Sequence, residues 1–158
     1  MKIFFDTEFI EDGKTIDLIS IGMIRDDGKT YYAISSEFDE SKANDWVKKN
    51  VLTKLGDAPR KSRKQIAEEI IKFAGEKPQL WAYFAGYDWV ALCQLYGTMM
   101  DLPEAFPMFC MDLKQLLVEK GNPKIKKQED GEHNALNDAV WVKETYDFIN
   151  LSGLGWRS

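Results

Sequence analysis

The stretch Lys2-Ile3-Phe4-Phe5-Asp6-Thr7-Glu8-Phe9 decides how the rest of the chain is read. Its apolar start reads as a buried strand, and it ends in two carboxylates separated by one residue. Side chains at i and i+2 of a strand leave from the same face, so Asp6 and Glu8 point together. Two like charges side by side on a buried element are costly unless a cation or a proton neutralises them. The pair therefore points to a divalent-metal site. A strand that simply ends at Glu8 in a solvated turn accounts for the same residues, and the pair alone does not choose.

Composition bounds the answer. With 158 residues, 44% hydrophobic and 30% charged, the chain is long enough for one domain with a real core. That domain is expected over residues 1–150, followed by a C-terminal tail at 151–158 that frays unless a partner orders it. No run is long and apolar enough to span a membrane, and acids by position 6 argue against a signal peptide. Cys93 and Cys110 sit in apolar surroundings without CxxC spacing and read as reduced, buried thiols of a cytoplasmic protein. A single histidine disfavours a zinc site. The net charge of −5 does not exclude nucleic acid, because the four candidate ligand carboxylates described below account for most of it. Local basic patches remain free to meet phosphate.

Working outward, residues 16–24 read as a second strand and residues 30–35 as a third, joined by the hairpin signal Asp26-Asp27-Gly28-Lys29. Residues 40–51 and 62–74 have helical spacing, the second with Ile66, Ile70 and Phe73 on one side. The basic run Arg60-Lys61-Ser62-Arg63-Lys64 fits a solvated loop and first helical turn, or a phosphate-contacting patch. A fourth strand is expected over 79–85, a helix over about 87–96, and a short fifth strand over 109–111. Asp112 reads as the N-cap of a helix through Val118, not as a ligand. The last helix is expected from near His133 or Asn134 to Ile149. A meander followed by alternating helix and strand predicts an α/β fold, with a mixed five-stranded sheet of antiparallel meander plus parallel strands, flanked by helices.

Three further residues carry chemistry. Asp88 follows Gly86 at the start of a helix, at the C-terminal end of a strand, where open α/β sheets place their ligands. An acid there also simply complements the positive helix end. Asp138 falls about 60° from Ala135, at the edge of the stripe Ala135, Ala139, Val142, Tyr146 and Ile149. It faces partly inward, beside alanines small enough for close approach to the sheet, and Lys143 is the only base on its helix. His133 precedes Asp138 by five residues, about 140° of helix, which places it at or before the first turn, free to swing over the site. An imidazole can accept a proton from water near neutral pH. Trp81, Trp89 and Trp141 read as interior.

Together these residues make a pattern, Asp-x-Glu, then Asp, then His-x4-Asp. Phe5-Asp6-Thr7-Glu8, Gly86-Tyr87-Asp88 and His133-Asn134-Ala135-Leu136-Asn137-Asp138-Ala139 resemble the three motifs of the DEDDh 3'-5' exonucleases. Residues 5–13, 18–22 and 87–95 make the chain look most similar to the small bacterial exoribonucleases of the RNase AS branch. The resemblance implies a ribonuclease-H-like fold, a homodimer, and Mg2+-dependent hydrolysis of single-stranded RNA 3' ends to nucleoside 5'-monophosphates, with Mn2+ able to substitute. It also implies two ions per site: Asp6 bridging both, Glu8 and Asp138 completing the first, Asp88 holding the second. His133 would take the proton from the attacking water. An adenylate preference attaches to that branch, but no residue here announces it. Phe9 and Tyr87 neighbour the ligands and are expected to stack on bases; Lys124, Lys126 and Lys127 are expected to approach phosphates. A DNA 3'-5' exonuclease of proofreading type would use the same residues, and a non-catalytic RNA-binding module could share the fold.

Overall fold

The computed structural model describes residues 1–151, so the tail expected at 151–158 lies, from residue 152 onward, outside the described residues. Strands β1 (Lys2–Glu11), β2 (Ile16–Arg25) and β3 (Thr30–Ser35) form the expected antiparallel meander. Gly28 takes the left-handed φ of 86° that its tight hairpin turn requires. Strand β4 (Arg60–Lys61) pairs parallel with β3, β5 (Gln79–Ala82) with β1, and β6 (Met111–Asp112) with β5. The sheet order is β4-β3-β2-β1-β5-β6, consistent with a ribonuclease-H-like architecture.

The sheet has six strands where five were expected. The extra one is part of the basic run, and two charged residues carry no alternation that would announce a strand. Its charges are used inside the fold: Lys61 pairs with Glu69 at 2.7 Å, Arg63 with Asp17, and the Arg60 guanidinium lies 5.1 Å from the Phe38 ring centre.

Other boundaries moved for local reasons. The fourth strand stops at Ala82 because Phe84 turns the chain with φ of 51°. The fifth is displaced to Met111–Asp112. The helix expected over 40–51 is split into a 3-10 turn (Glu40–Lys42) capped by Asp39 and α1 (Asp45–Asn50) capped by Asn44. A second 3-10 turn (Leu52–Lys54) follows.

Helices α2 (Arg63–Ala74) and α3 (Gly86–Gln94) cover one face of the sheet, packing Ile66, Ile70 and Leu92 against Ile3 and Phe5. Helices α4 (Leu113–Glu119) and α5 (Ala135–Leu151) cover the other, packing Leu113, Leu117, Ala139 and Val142 against Phe4 and Trp81. Asp6 and Glu8 alternate with Phe4 and so belong to the α5 face. Gly22 sits directly opposite Asp6 on β2, and a Cβ there would lie 2.2 Å from the backbone N of Leu136. Only a glycine lets the first turn of α5 rest on the sheet beside Asp6. Trp81 is buried and Trp89 packs against the first core, whereas Trp141 is half-buried in a cavity wall and not interior. Among the described residues no helix is long and apolar enough to cross a membrane.

Candidate active site

Two parts of the chain meet at the C-terminal half of β1. The first is the strand itself, which projects Asp6 and Glu8. Just after Glu8 the β1–β2 register shifts, Glu8 facing Ser20 and Phe9 facing Leu18. Such a bulge bends the strand and interrupts the regular pairing beside the carboxylates, and the pairing resumes to Glu11. Asp88 joins them from the first turn of α3. It is buried, and its Oδ1 accepts the Thr7 backbone N–H at 2.9 Å as well as the Thr7 hydroxyl. Thr7 thus locks the third carboxylate to the strand that carries the first two. Asp112 caps α4, accepting from the Lys114 N–H at 2.8 Å. It also accepts the Phe84 and Ala85 N–H groups at 3.2 Å, which holds the turn that launches Asp88.

The second part is the loop before α5 and the first turn of that helix. Asp138 is half-buried, as its position at the edge of the apolar stripe implied. Its Oδ1 accepts from the Gln128 amide at 2.8 Å and its Oδ2 from the His133 backbone N–H at 3.1 Å. Lys143 is committed to Asp147 and does not reach it. His133 precedes the helix as expected, with its backbone N–H bonded to Asp138. Its φ is 66°, a left-handed conformation uncommon for a residue other than glycine, and its ring meets the exposed Trp46 indole edge-on at 4.9 Å. Glu8, His133 and Asp138 each offer a ligand atom, all within 4.8 Å of one another. Asp6 lines the same cavity as His133 and Asp138, a space of about 580 Å³.

The electrostatics follow from that convergence. Burial, then the charges of Asp88, Glu8 and Asp138, raises Asp6 well above the ordinary carboxyl range. Burial together with Asp138 and Asp88 pushes Glu8 up to about 8. Burial raises Asp88 to about 6, against the opposing pull of the Thr7 hydrogen bonds. Asp138 is raised by burial in the same way, offset by Gln128 and the His133 N–H. Such a cluster is strained while all its members are charged and unneutralised. Its donors are carboxylate oxygens with one imidazole and no thiolate, a set that fits a hard divalent cation such as Mg2+ or Mn2+.

Phe9 and Tyr87, adjacent in sequence to Glu8 and Asp88, stack on each other, centroids 5.8 Å apart and planes 20° apart, with Tyr87 exposed. Lys126 and Lys127 line the cavity; Lys124 does not. Sequence reasoning did not single out Thr7, Gln128, Gly22, Trp46 or Lys54. Thr7 sits inside the quoted motif, and its alternation toward the opposite face from Asp6 was the one usable signal.

A family model described as the 3'-5' exoribonuclease Rv2179c-like domain matches residues 1–150. Two relatives are the 3'-5' exoribonuclease Rv2179c of Mycobacterium tuberculosis strain H37Rv and the 3'-5' exoribonuclease MT2234.1 of strain CDC 1551. Each is 46% identical to this chain over 146 residues, which covers 88% of this chain and 87% of the relative.

Proposed function

The chain belongs to the Rv2179c-like 3'-5' exoribonuclease family, and on that membership we propose metal-dependent hydrolysis of single-stranded RNA 3' ends at the cluster on β1. It is an enzyme of the 3'-5' exoribonuclease kind, a phosphodiester hydrolase. The observation that carries the metal reading is the convergence of four carboxylates from three elements, all raised by burial, with Asp6 and Glu8 raised further by the charges of their neighbours. Stability alone gives no reason to gather them; a cation does.

Asp6, Glu8, Asp88 and Asp138 would hold two Mg2+ ions, or Mn2+ in their place, in the DEDDh manner of the RNase AS branch. When bound, the ions supply charge stabilisation at the phosphate and at the attacking and leaving oxygens. Thr7 and Gln128 keep Asp88 and Asp138 aimed inward. His133 accepts the proton of the water that attacks the terminal phosphorus, and the bond from that phosphorus to the penultimate O3' breaks. A nucleoside 5'-monophosphate leaves. The Phe9–Tyr87 pair offers a stacking surface for a base, worth about 1–3 kcal/mol. Lys126 and Lys127 face the same cavity and suit the phosphate backbone. A single domain over residues 1–150, assembled as a homodimer in the cytoplasm, completes the reading.

Paired 5'-labelled RNA and DNA oligonucleotides, incubated with Mg2+, Mn2+ or EDTA, test it. The expected result is a ladder on RNA, abolished by EDTA, with a nucleoside 5'-monophosphate as product. Equal cleavage of DNA would favour a proofreading-type exonuclease, and binding without product would favour a non-catalytic module.

A further inference from the structure

His133 is the one site residue held in a left-handed backbone conformation, and bonds from outside its own loop meet it there. Strain of this kind persists only where surrounding structure over-determines it. The loop closes its own turn around His133, the Asn134 N–H bonding the Gly131 carbonyl at 3.3 Å. The His133 N–H also reaches Asp138, and the Asn137 side chain reaches the Gly131 carbonyl at 3.4 Å. Two longer-range bonds come from a single residue in a distant part of the chain. The Lys54 ammonium donates to the Glu132 carbonyl at 2.8 Å, and the Asn134 amide donates to the Lys54 carbonyl at 3.0 Å. Residue 54 therefore bonds both sequence neighbours of His133, one through its side chain and one through its backbone.

The platform behind that bracket is rigid. Lys54 ends the 3-10 turn that follows α1, and the flanking Val51 and Leu55 are buried in a third apolar cluster with Ile19, Ile34 and Phe38. The Tyr32 hydroxyl donates to the Leu55 carbonyl at 3.1 Å, which fastens the turn to β3. Trp46, on the same segment, supplies the edge contact to the imidazole. A well-packed segment thus reaches across to a loop that is polar, exposed and strained.

We propose that Lys54 is a positioning residue: it brackets the His133 loop and holds the imidazole over the carboxylate cluster, acting through His133 and not through the RNA. The inference rests on the reading of His133 as the proton acceptor. Lys54→Met keeps the length of the stem and removes the donor. The expected kinetic result is a kcat lower by about tenfold, near the loss of one good hydrogen bond, with KM for RNA within about twofold. In a His133→Ala background the same substitution should cost nothing further, because two residues acting as one unit are not additive. Lys54→Arg, which restores a charged donor, should recover most of the rate.

The chain has a single histidine, so an imidazole-labelled sample gives one ring signal that reports the geometry without any assay of activity. In the wild type the Trp46 ring, 4.9 Å away, should displace that signal from the free-histidine position. In Lys54→Met it should move toward the free position and broaden, while the melting temperature stays close to wild type. Trp46→Leu should remove the displacement even with Lys54 intact, which identifies its source. An unmoved signal in Lys54→Met overturns the proposal, as does a raised KM with kcat unchanged, the mark of a direct phosphate contact. A signal that moves without any loss of kcat overturns it too. Full activity of His133→Ala would instead remove the proton-acceptor reading, and the spectrum would still say whether Lys54 holds the loop.

Discussion

The β1 floor and the loop before α5 contribute to one cluster, but they are built differently. Asp6 and Glu8 leave a strand paired with β2 along its length and with β5 over Lys2–Phe4, and Asp88 is fastened to it by the buried Thr7. The other half, the polar loop from Gln128 and the first turn of α5 to Asp138, leans on part-buried and exposed hydrogen bonds and on a left-handed histidine. The floor is preorganised by the core and the loop by its neighbours. Charge placement is therefore robust, while proton-transfer geometry depends on bonds that the change of a single exposed side chain can undo.

Breaking the floor should have the largest effect. Asp6→Ala should lower the rate by about 10³-fold or more, the equivalent of several kcal/mol of charge stabilisation, without unfolding the protein. Circular dichroism and a steady-state assay check it together; full activity would sink the ligand assignment. Gly22→Ala attacks the seam between the halves. It forces the first turn of α5 off the sheet, at about 1–3 kcal/mol of overpacking, and carries Asp138 away from Asp6. Mg2+ should raise the melting temperature of the wild type, and the expected signature is loss of that rise. An undiminished rise would show that the helix can shift without consequence for the site. Thr7→Val leaves the floor and the Thr7 N–H bond to Asp88 in place but removes the hydroxyl bond, and should cost about 10–100-fold in metal affinity, read by Mg2+ titration of activity.

A smaller effect lies in the metal-free protein. Burial raises the folded carboxyls above their unfolded values, Glu8 from 4.5 to about 8. Through that window the folded state binds more protons than the unfolded one, so stability should fall as pH rises from about 5 to 8. Thermal melts in EDTA should decline by about 2–4 °C for each kcal/mol of stability that disappears, and Mg2+ should cancel the decline. A flat profile in EDTA would mean the carboxylates are not mutually destabilising. The smallest effect separates the lysines. Neutralising Lys126 and Lys127 should flatten the salt dependence of RNA binding by about 0.7 for each phosphate they no longer neutralise, while Lys124→Ala leaves it unchanged.

Much of this was legible before any coordinates. The meander could be read because hairpin turns and strand alternation are local, and Asp112 as a cap because a capping carboxylate binds an N–H two residues away. The candidate ligands were legible because acids at element ends violate the apolar pattern around them. Strand β4 was not, since its pairing with β3 is set by a neighbour far along the chain and its two residues show no alternation. Trp141 was misplaced because a helical stripe cannot tell a core wall from a cavity wall.

The sequence by itself determined the residue types of the site and the two elements that carry most of them, through periodicities that the backbone imposes over a few residues. Only the tertiary structure decided that these elements meet. The bond from Thr7 to Asp88 spans 81 positions and the bracket from Lys54 spans 78 and 80, separations at which no local pattern survives. Whether a glycine is a turn or a point of contact is likewise a question of what packs over it. Gly22 looks like any strand glycine until α5 is laid on the sheet.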